Sequence, residues 1–243
     1  GKDAKRILQA FATFEREGTI PNVISGAAEA NRDTSDAPLY LIVAVRDCIA
    51  ATGDDSILDL KCGSRTMRQV LESIADNYLA GTPNGIKADR SSGLIYSPSH
   101  FTWMDTNYPA GTPRQGYPIE IQSLWYAALK FLGRDELASQ VRSSIEKLFF
   151  ANGSCSDCLH CREMVPAHEA VPDDHIRCNQ LFAVTLGAVS DPEKCRRIIS
   201  DTSRLVIPGA IRTLDHRRVD YQLPVWHNGH CLNAPSNPYW GKY

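Results

Sequence analysis

No apolar run in the sequence approaches the roughly 18 residues that a membrane-spanning helix needs, and none is a candidate span. Basic residues are not in excess: 26 Lys and Arg stand against 28 Asp and Glu, a net charge of −2. That balance argues against a nucleic-acid groove and against a polybasic patch for membrane surfaces. Cysteine is too sparse, at eight in 243 residues, for a small fold held by disulfides. Cys48, Cys178 and Cys195 fall inside helical patterns, where free thiols pack as small hydrophobes, so a reducing, cytoplasmic setting is the expectation. There is no H-E-x-x-H pair, Walker loop or dinucleotide-binding glycine run. No fixed-period repeat suggests a solenoid. The chain opens on Gly1-Lys2-Asp3, with no apolar leader in view.

What the sequence does contain is helical periodicity. Residues 3–17 place Ile7, Leu8, Phe11 and Phe14 on one face of an amphipathic helix. The stretch 36–52 is almost wholly apolar, with Asp36 at the N-cap position and Pro38 in the first turn, where its missing N–H costs nothing. A third stripe runs from Met67 to Leu79 and a fourth from Ile121 to Leu132, closed by Gly81 and Gly133. Asp135 opens a fifth that ends at Gly153, and further helices are expected over 174–188 and 191–205. The pairs Ile95-Tyr96 and Val206-Ile207 look too short to make sheet. Connections alternate between very short ones, at Gly133-Arg134 and Val189-Ser190, and long ones at 18–35, 82–118 and 206–243. Long loops are uncommon unless they carry function. The pattern suits a ring of helical hairpins with a site at the long-loop end.

The most informative stretch is Thr102-Trp103-Met104-Asp105, followed by Thr112-Pro113-Arg114 and by Glu120-Ile121-Gln122. An indole beside a carboxyl is one way to build a sugar site. The ring stacks on a pyranose face, and an apolar wall lets the carboxyl keep the proton it must donate to a glycosidic oxygen. Arg114 adds a planar fork of donors, suited to sugar hydroxyls or to a neighbouring carboxylate. The same residues also fit an aspartate capping a loop near a core tryptophan, and Glu120 fits either a pocket or a first helical turn held by Arg114.

These blocks, taken in order with Gly18–Asn22, Ser35–Tyr40, Asn179–Ala183 and Pro208–Leu214, resemble the amylo-α-1,6-glucosidase region of glycogen debranching enzymes. The resemblance implies an all-α fold, an (α/α)6 toroid of helical hairpins, forming a single domain over residues 1–243. It implies an inverting glycoside hydrolase that removes α-1,6-linked glucose from branch stubs of glycogen or limit dextrin, with no cofactor. Carried over residue by residue, it makes Asp105 the general acid. It places Asp36, Trp103, Arg114, Glu120, Gln122, Asn179, Gln180 and Arg212 around the substrate. The chain departs from the family at Cys178, where the pattern has proline. It also ends before the block holding the family's water-activating carboxylate, so a portion truncated at both ends is expected. A trehalase- or glucoamylase-like (α/α)6 glycosidase is an alternative within the same fold.

Cys155, Cys158 and Cys161, with His160, His168, His175 and Cys178 nearby, have spacing that could hold zinc. They could equally be chance thiols in an interhelical loop. A non-catalytic carbohydrate-binding or metal-stabilised module is therefore the reading from outside enzymology, although no metal is assigned. His216, His227 and His230 read as loop or pocket-rim residues.

Overall fold

The computed structural model describes residues 2–25, 28–29, 31–105, 114–216, 226–227 and 230–231. Among them seven α-helices carry the architecture: α1 (Lys2–Thr13), α2 (Ala37–Thr52), α3 (Met67–Ala80), α4 (Ile119–Phe131), α5 (Asp135–Leu148), α6 (Leu181–Thr185) and α7 (Pro192–Thr202). They lie in two layers. The even-numbered helices stand side by side, α4 packing on both α2 and α6, while α3, α5 and α7 each back onto an even-numbered neighbour and α1 onto α2 and α3. Sequence explains which helix goes where. In α4 every residue from Ile119 to Leu129 is buried, and α2 buries Leu39, Ile42 and Val45 completely. Helices that are apolar on most sides can only sit between other elements. The amphipathic α1, α5 and α7 turn one face inward and leave the other to water. Each fully buried Leu or Ile in the inner row contributes roughly 1.5–3 kcal/mol.

Local chemistry sets the helix ends. Thr66 and Gln69 form a reciprocal capping box at the start of α3. The Asp191 side chain accepts from Glu193 N and Lys194 N ahead of α7. α1 stops at Thr13, short of residue 17, because Glu17 and Gly18 adopt left-handed backbone (φ 48° and 81°) in a tight turn bridging Arg16 to Thr19. A Cβ on Gly18 would lie 2.5 Å from Asn77 Cβ, so this turn needs glycine. α5 ends at Leu148, and Phe149 then drops fully buried into the core.

Two sequence expectations need correction. The helix expected over 174–188 is only a 3-10 turn at Cys178–Gln180 leading into the short α6. Residues just before it are committed elsewhere: Val171–Pro172 pair as strand, and the Asp173 carboxylate accepts Asp157 N and Cys158 N instead of capping its own chain. Short strands also form where none was expected. They pair as β1 (Ile24–Ser25) with β2 (Ala28–Glu29), β3 (Lys61–Cys62) with β4 (Arg65–Thr66), and β5 (Lys87–Ala88) with β6 (Ile95–Tyr96). Further along, β7 (Gly116–Pro118), β8 (Cys158–His160) and β9 (Val171–Pro172) make a three-stranded sheet. β10 (Val206–Ile207) pairs with β11 (Ala210–Ile211), and β12 (Trp226–His227) with β13 (His230–Cys231), so His227 and His230 sit opposite each other in a ladder. The fold is therefore mainly helical with small antiparallel ladders in its connections.

The β7–β8–β9 sheet matters most for the site. Its register sets Gly116 opposite His160 and Pro118 opposite Cys158. Gly116 runs at φ 128°, and a Cβ there would come within 2.1 Å of Leu159 O. The strand can approach this closely only because residue 116 is glycine.

Candidate active site

The long connections meet at the N-terminal ends of α2, α4 and α6. Ser35 N donates to Phe101 O (2.6 Å), the Ser35 and Ser97 hydroxyls are 2.8 Å apart, and Tyr78 OH donates to Ser35 O (2.9 Å). Asn84 Nδ2 donates to Arg32 O (2.7 Å). From the third connection, Asp215 N donates to Ile176 O (2.9 Å). The short connection at Gly133-Arg134 lies beyond the other end of α4. A 13-residue helix separates it from the site, roughly 20 Å at 1.5 Å per residue.

Residues 102–105 alternate in burial. Thr102 and Met104 are buried, Trp103 is 45% exposed and Asp105 is exposed. The inward pair is anchored. Arg114 Nη1 donates to Thr102 Oγ1 (2.9 Å), and Met104 Sδ lies 3.3 Å from Asn179 Nδ2 and 3.5 Å from Arg177 Nη1. The outward pair is held from behind. Trp103 Nε1 donates to Asn179 Oδ1 (3.0 Å), and the Asp105 carbonyl accepts from His100 Nδ1 (3.0 Å). A carbonyl can only accept, so that ring nitrogen carries the proton. His100 itself is left-handed (φ 63°), a conformation that costs a non-glycine residue and is held in place by its surroundings. Because Trp103 and Asp105 are both exposed, the described residues do not form the apolar enclosure that the sequence suggested for this carboxyl.

Asp36 is nearly buried, at 8% exposure. It occupies the N-cap position of α2 but makes no side-chain cap bond. Thr34 takes that role, accepting from Ala37 N (3.2 Å) while its own hydroxyl donates to Asp36 Oδ1 (2.5 Å). One turn on, Tyr40 is 38% exposed, and its ring meets Phe182 edge-on at 6.3 Å. Burial, with Asp36 beside it, pushes the Tyr40 phenol up to about 12.

Beneath this surface lies a buried charge quartet of Arg114, Arg177, Asp157 and Glu120, each at most 1% exposed. Arg114 uses all five of its N–H donors. Nε and Nη2 reach the two oxygens of Asp157 (2.8 and 3.2 Å), Nη2 also reaches Glu120 Oε2 (2.6 Å), and Nη1 serves Glu120 Oε1 and Thr102. Arg177 Nε approaches Asp157 Oδ2 at 3.4 Å. Burial opposes the Arg114 charge, but Asp157 and Glu120 outweigh it and hold the guanidinium well above its ordinary range. Burial pushes the Glu120 carboxyl up against the pull of the Arg114 fork, and it pushes Arg177 down. Arg114 also takes left-handed backbone (φ 42°).

This geometry sorts the sequence candidates. Trp103 and Asp105 reach the surface, whereas Asp36 is buried at the start of α2. Arg114, Glu120 and Asn179 are buried, Arg114 bonding Glu120, Asp157 and Thr102, and Asn179 joining Asp157 to Trp103. Gln122 is fully buried and acts as a strand substitute: its amide accepts from Ile95 N (2.7 Å) and donates to Ile95 O (2.9 Å) and Pro118 O (3.1 Å). Gln180 is similarly enclosed, donating to Cys155 O (2.6 Å) and His175 O (2.7 Å). Gln122 and Gln180 thus brace loops and offer no polar surface to a sugar. Arg212 is exposed, its backbone N–H bonded to Leu205 O (2.9 Å). Among the described residues, no contact joins its side chain to Asp36, Trp103 or Asp105. Gly111, Thr112, Pro113 and Tyr239–Tyr243 lie outside the described residues.

Sequence reasoning missed Asp157, Arg177, His100 and Tyr40. Asp157 had a signal: a buried Arg needs an acid, and Asp157 lies just before the strand that pairs with the residues after Arg114. Cys155 and Cys158 are buried, and burial pushes both thiols well up. Among the described residues, no three His, Cys, Asp or Glu side chains are placed to hold a metal ion. Nor is any described helix long and apolar enough to cross a membrane.

Several known proteins resemble this chain. Glycogen debranching enzyme of Saccharomyces cerevisiae is 25% identical, over 54% of this chain and 12% of the yeast protein, so the chain corresponds to a small part of that relative. Among solved structures, a rhamnosidase from Klebsiella oxytoca with rhamnose bound has a TM-score of 0.54 at 15% identity, covering 86% of this chain and 38% of that one. The GH78 family rhamnosidase of Bacillus sp. GL1 gives 0.57 at 17% identity, covering 82% of this chain and 20% of that one. At such identities the likeness is one of fold. The match to the amylo-alpha-1,6-glucosidase family runs over residues 2–231, taking in the whole loop convergence and the buried quartet, and the chain belongs to that family.

Proposed function

We propose that this chain supplies part of a glycoside hydrolase site that releases α-1,6-linked glucose from branch stubs of glycogen or limit dextrin, with inversion. Asp105 is the general acid in this reading, Trp103 the platform for the glucose ring, and Asp36 a hydrogen-bond partner for its hydroxyls. The observation that carries the reading is the alternation at 102–105. Two anchored residues leave an indole and a carboxyl facing outward, in the loop that Ser35, next to Asp36, bonds through Phe101 O. A displacement of this kind needs an acid, a second carboxylate and a water, and it calls for no cofactor. No residue is assigned as the base. The two helical layers are consistent with an arc of an (α/α)6 toroid whose inner row is α2, α4 and α6. Glycogen as substrate also suits a cytoplasmic location.

The linkage and the sugar come from the family alone. Their test is hydrolysis of a phosphorylase-limit dextrin by the complete protein. Asp105→Asn should lower glucose release by about two to four decades while binding persists, because an amide can hydrogen-bond but cannot yield the proton. Hydrolysis near the wild-type rate by that variant would remove Asp105 from the role.

A further inference from the structure

The geometry points to Asp157 as a positioning residue that fixes the Trp103 indole through Asn179. It rests on the proposed sugar site for its purpose, though not for its geometry. The argument is one of donors and acceptors. Asp157 is buried, and its carboxylate only accepts: Oδ2 faces Arg114 Nε (2.8 Å) and Arg177 Nε (3.4 Å), while Oδ1 faces Arg114 Nη2 (3.2 Å) and Asn179 Nδ2 (2.9 Å). Asn179, fully buried, must therefore turn its NH2 toward Asp157. That leaves Oδ1 as the atom facing Trp103, and the indole nitrogen is a donor that has to meet an acceptor (3.0 Å). Amide orientations are often ambiguous; here a carboxylate on one side and an indole N–H on the other permit only one. The ring so held is 45% exposed with its N–H tied inward, the posture a stacking platform requires.

Reversing the polarity at residue 157 breaks the chain. In Asp157→Asn the new amide keeps its oxygen on Arg114 Nε and turns its NH2 toward Asn179, while the Arg114 Nη2 hydrogen released from that side turns to the carbonyl of residue 157, 3.5 Å away. Asn179 then flips, and its own NH2 confronts the Trp103 N–H, donor against donor. The double variant Asp157→Asn with Asn179→Asp restores the sequence of donors and acceptors and keeps the net charge of the buried cluster. Trp103 again has an acceptor.

The test follows the four indole N–H signals of the 15N-tryptophan-labelled protein, with the Trp103 signal assigned by its loss in Trp103→Phe. Trp125, whose Nε1 donates to Gly93 O (3.1 Å) in the core, is the internal control. In Asp157→Asn the Trp103 N–H should exchange roughly fivefold to tenfold faster, the effect of losing one hydrogen bond, with Trp125 unchanged. The double variant should return it to the wild-type rate. Asn179→Leu, which changes no charge, should speed exchange as Asp157→Asn does and guards against a folding failure in the first variant. Unchanged Trp103 exchange in either single variant overturns the proposal. So does a double variant no better than its parents, or loss of the Trp125 signal alongside Trp103 in both single variants. Affinity for limit dextrin separates this inference from the glucosidase reading. If Trp103→Ala leaves affinity intact, the sugar site fails and the positioning chain stands. If Trp103→Ala weakens affinity and Asp157→Asn does not, the positioning role in sugar binding is overturned.

Discussion

Arg114→Lys keeps the charge at the centre of the site and should still be among the most damaging conservative substitutions in the chain. The arginine spends five donors on two buried carboxylates and Thr102. A lysine ammonium has three donors on a point, so at least two of those acceptors lose their partner. With charge-assisted hydrogen bonds at roughly 1.5–3 kcal/mol each, the loss is about 3 kcal/mol or more. In a domain of this size that lowers Tm by about 6–12 °C. Arg114→Met should cost on the order of 3–5 kcal/mol, because Asp157 and Glu120 then share only Arg177 and the buried cluster carries a net negative charge. Adding Glu120→Leu restores neutrality, with Arg177 facing Asp157, and should recover part of the loss despite removing a second native side chain. Urea and thermal denaturation followed by circular dichroism would measure all three. Arg114→Lys within about 1 kcal/mol of wild type, or a double variant less stable than Arg114→Met, would refute the view that donor count and charge balance hold this layer together.

Other consequences follow from the same geometry. Burial would raise the Asp173 carboxyl, but hydrogen bonds from His160 (3.0 Å) and His175 overcome it and hold the group well below its ordinary range. A depressed folded pKa contributes stability that is fully present above the unfolded value, about 4, and is lost as pH falls through the folded one. The Tm of the wild type should therefore fall more steeply below about pH 4 than that of Asp173→Asn; parallel Tm–pH curves for the two would contradict this. Gly116→Ala, with its Cβ driven to 2.1 Å from Leu159 O, should disrupt the β7–β8 pairing and abolish soluble expression or sharply lower Tm. Gly133→Ala meets nothing within 4 Å and bears only the left-handed backbone penalty at φ 73°, about 1 kcal/mol. Equal Tm losses in the two would show that the close strand approach is unimportant.

Much of the fold was legible because burial of helices leaves a periodic record. The almost wholly apolar stretch of α2 marked a helix buried on most sides, the stripes of α3 and α4 marked their apolar faces, and Gly81 and Gly133 marked where those two helices stop. Failures came where long-range bonding overrode local propensity. Nothing within residues 171–177 says that Asp173 will serve the backbone of residues 157 and 158. Those contacts hold Asp173 away from a helix start, and the first residues of the expected helix stay irregular up to the 3-10 turn at Cys178. The two-residue ladders were missed for a related reason. At that length strands carry no alternation to read, and turn geometry defines them, as at Pro208-Gly209 between β10 and β11.

The site was legible in its chemistry and opaque in its depth. Sequence could place Trp103, Asp105, Arg114 and Glu120 near one another, but hydrophilic residue types do not say which of them face water. Arg114, Glu120, Gln122, Asn179 and Gln180 look like sugar-binding side chains by composition, yet all are at most 1% exposed and bonded to protein. The reason is physical. Presenting one exposed carboxyl and one half-exposed indole from an irregular loop requires that the loop's other residues be pinned, and pinning an unpaired backbone takes polar groups with fixed geometry. Those polar groups must themselves be buried to be rigid, and once buried they must be balanced in charge and satisfied in hydrogen bonding. Two arginines, two acids and an asparagine meet that requirement here. A sequence motif at such a site therefore records its buried support as strongly as its reactive surface. The two can be separated only by asking, for each side chain, where its donors and acceptors go.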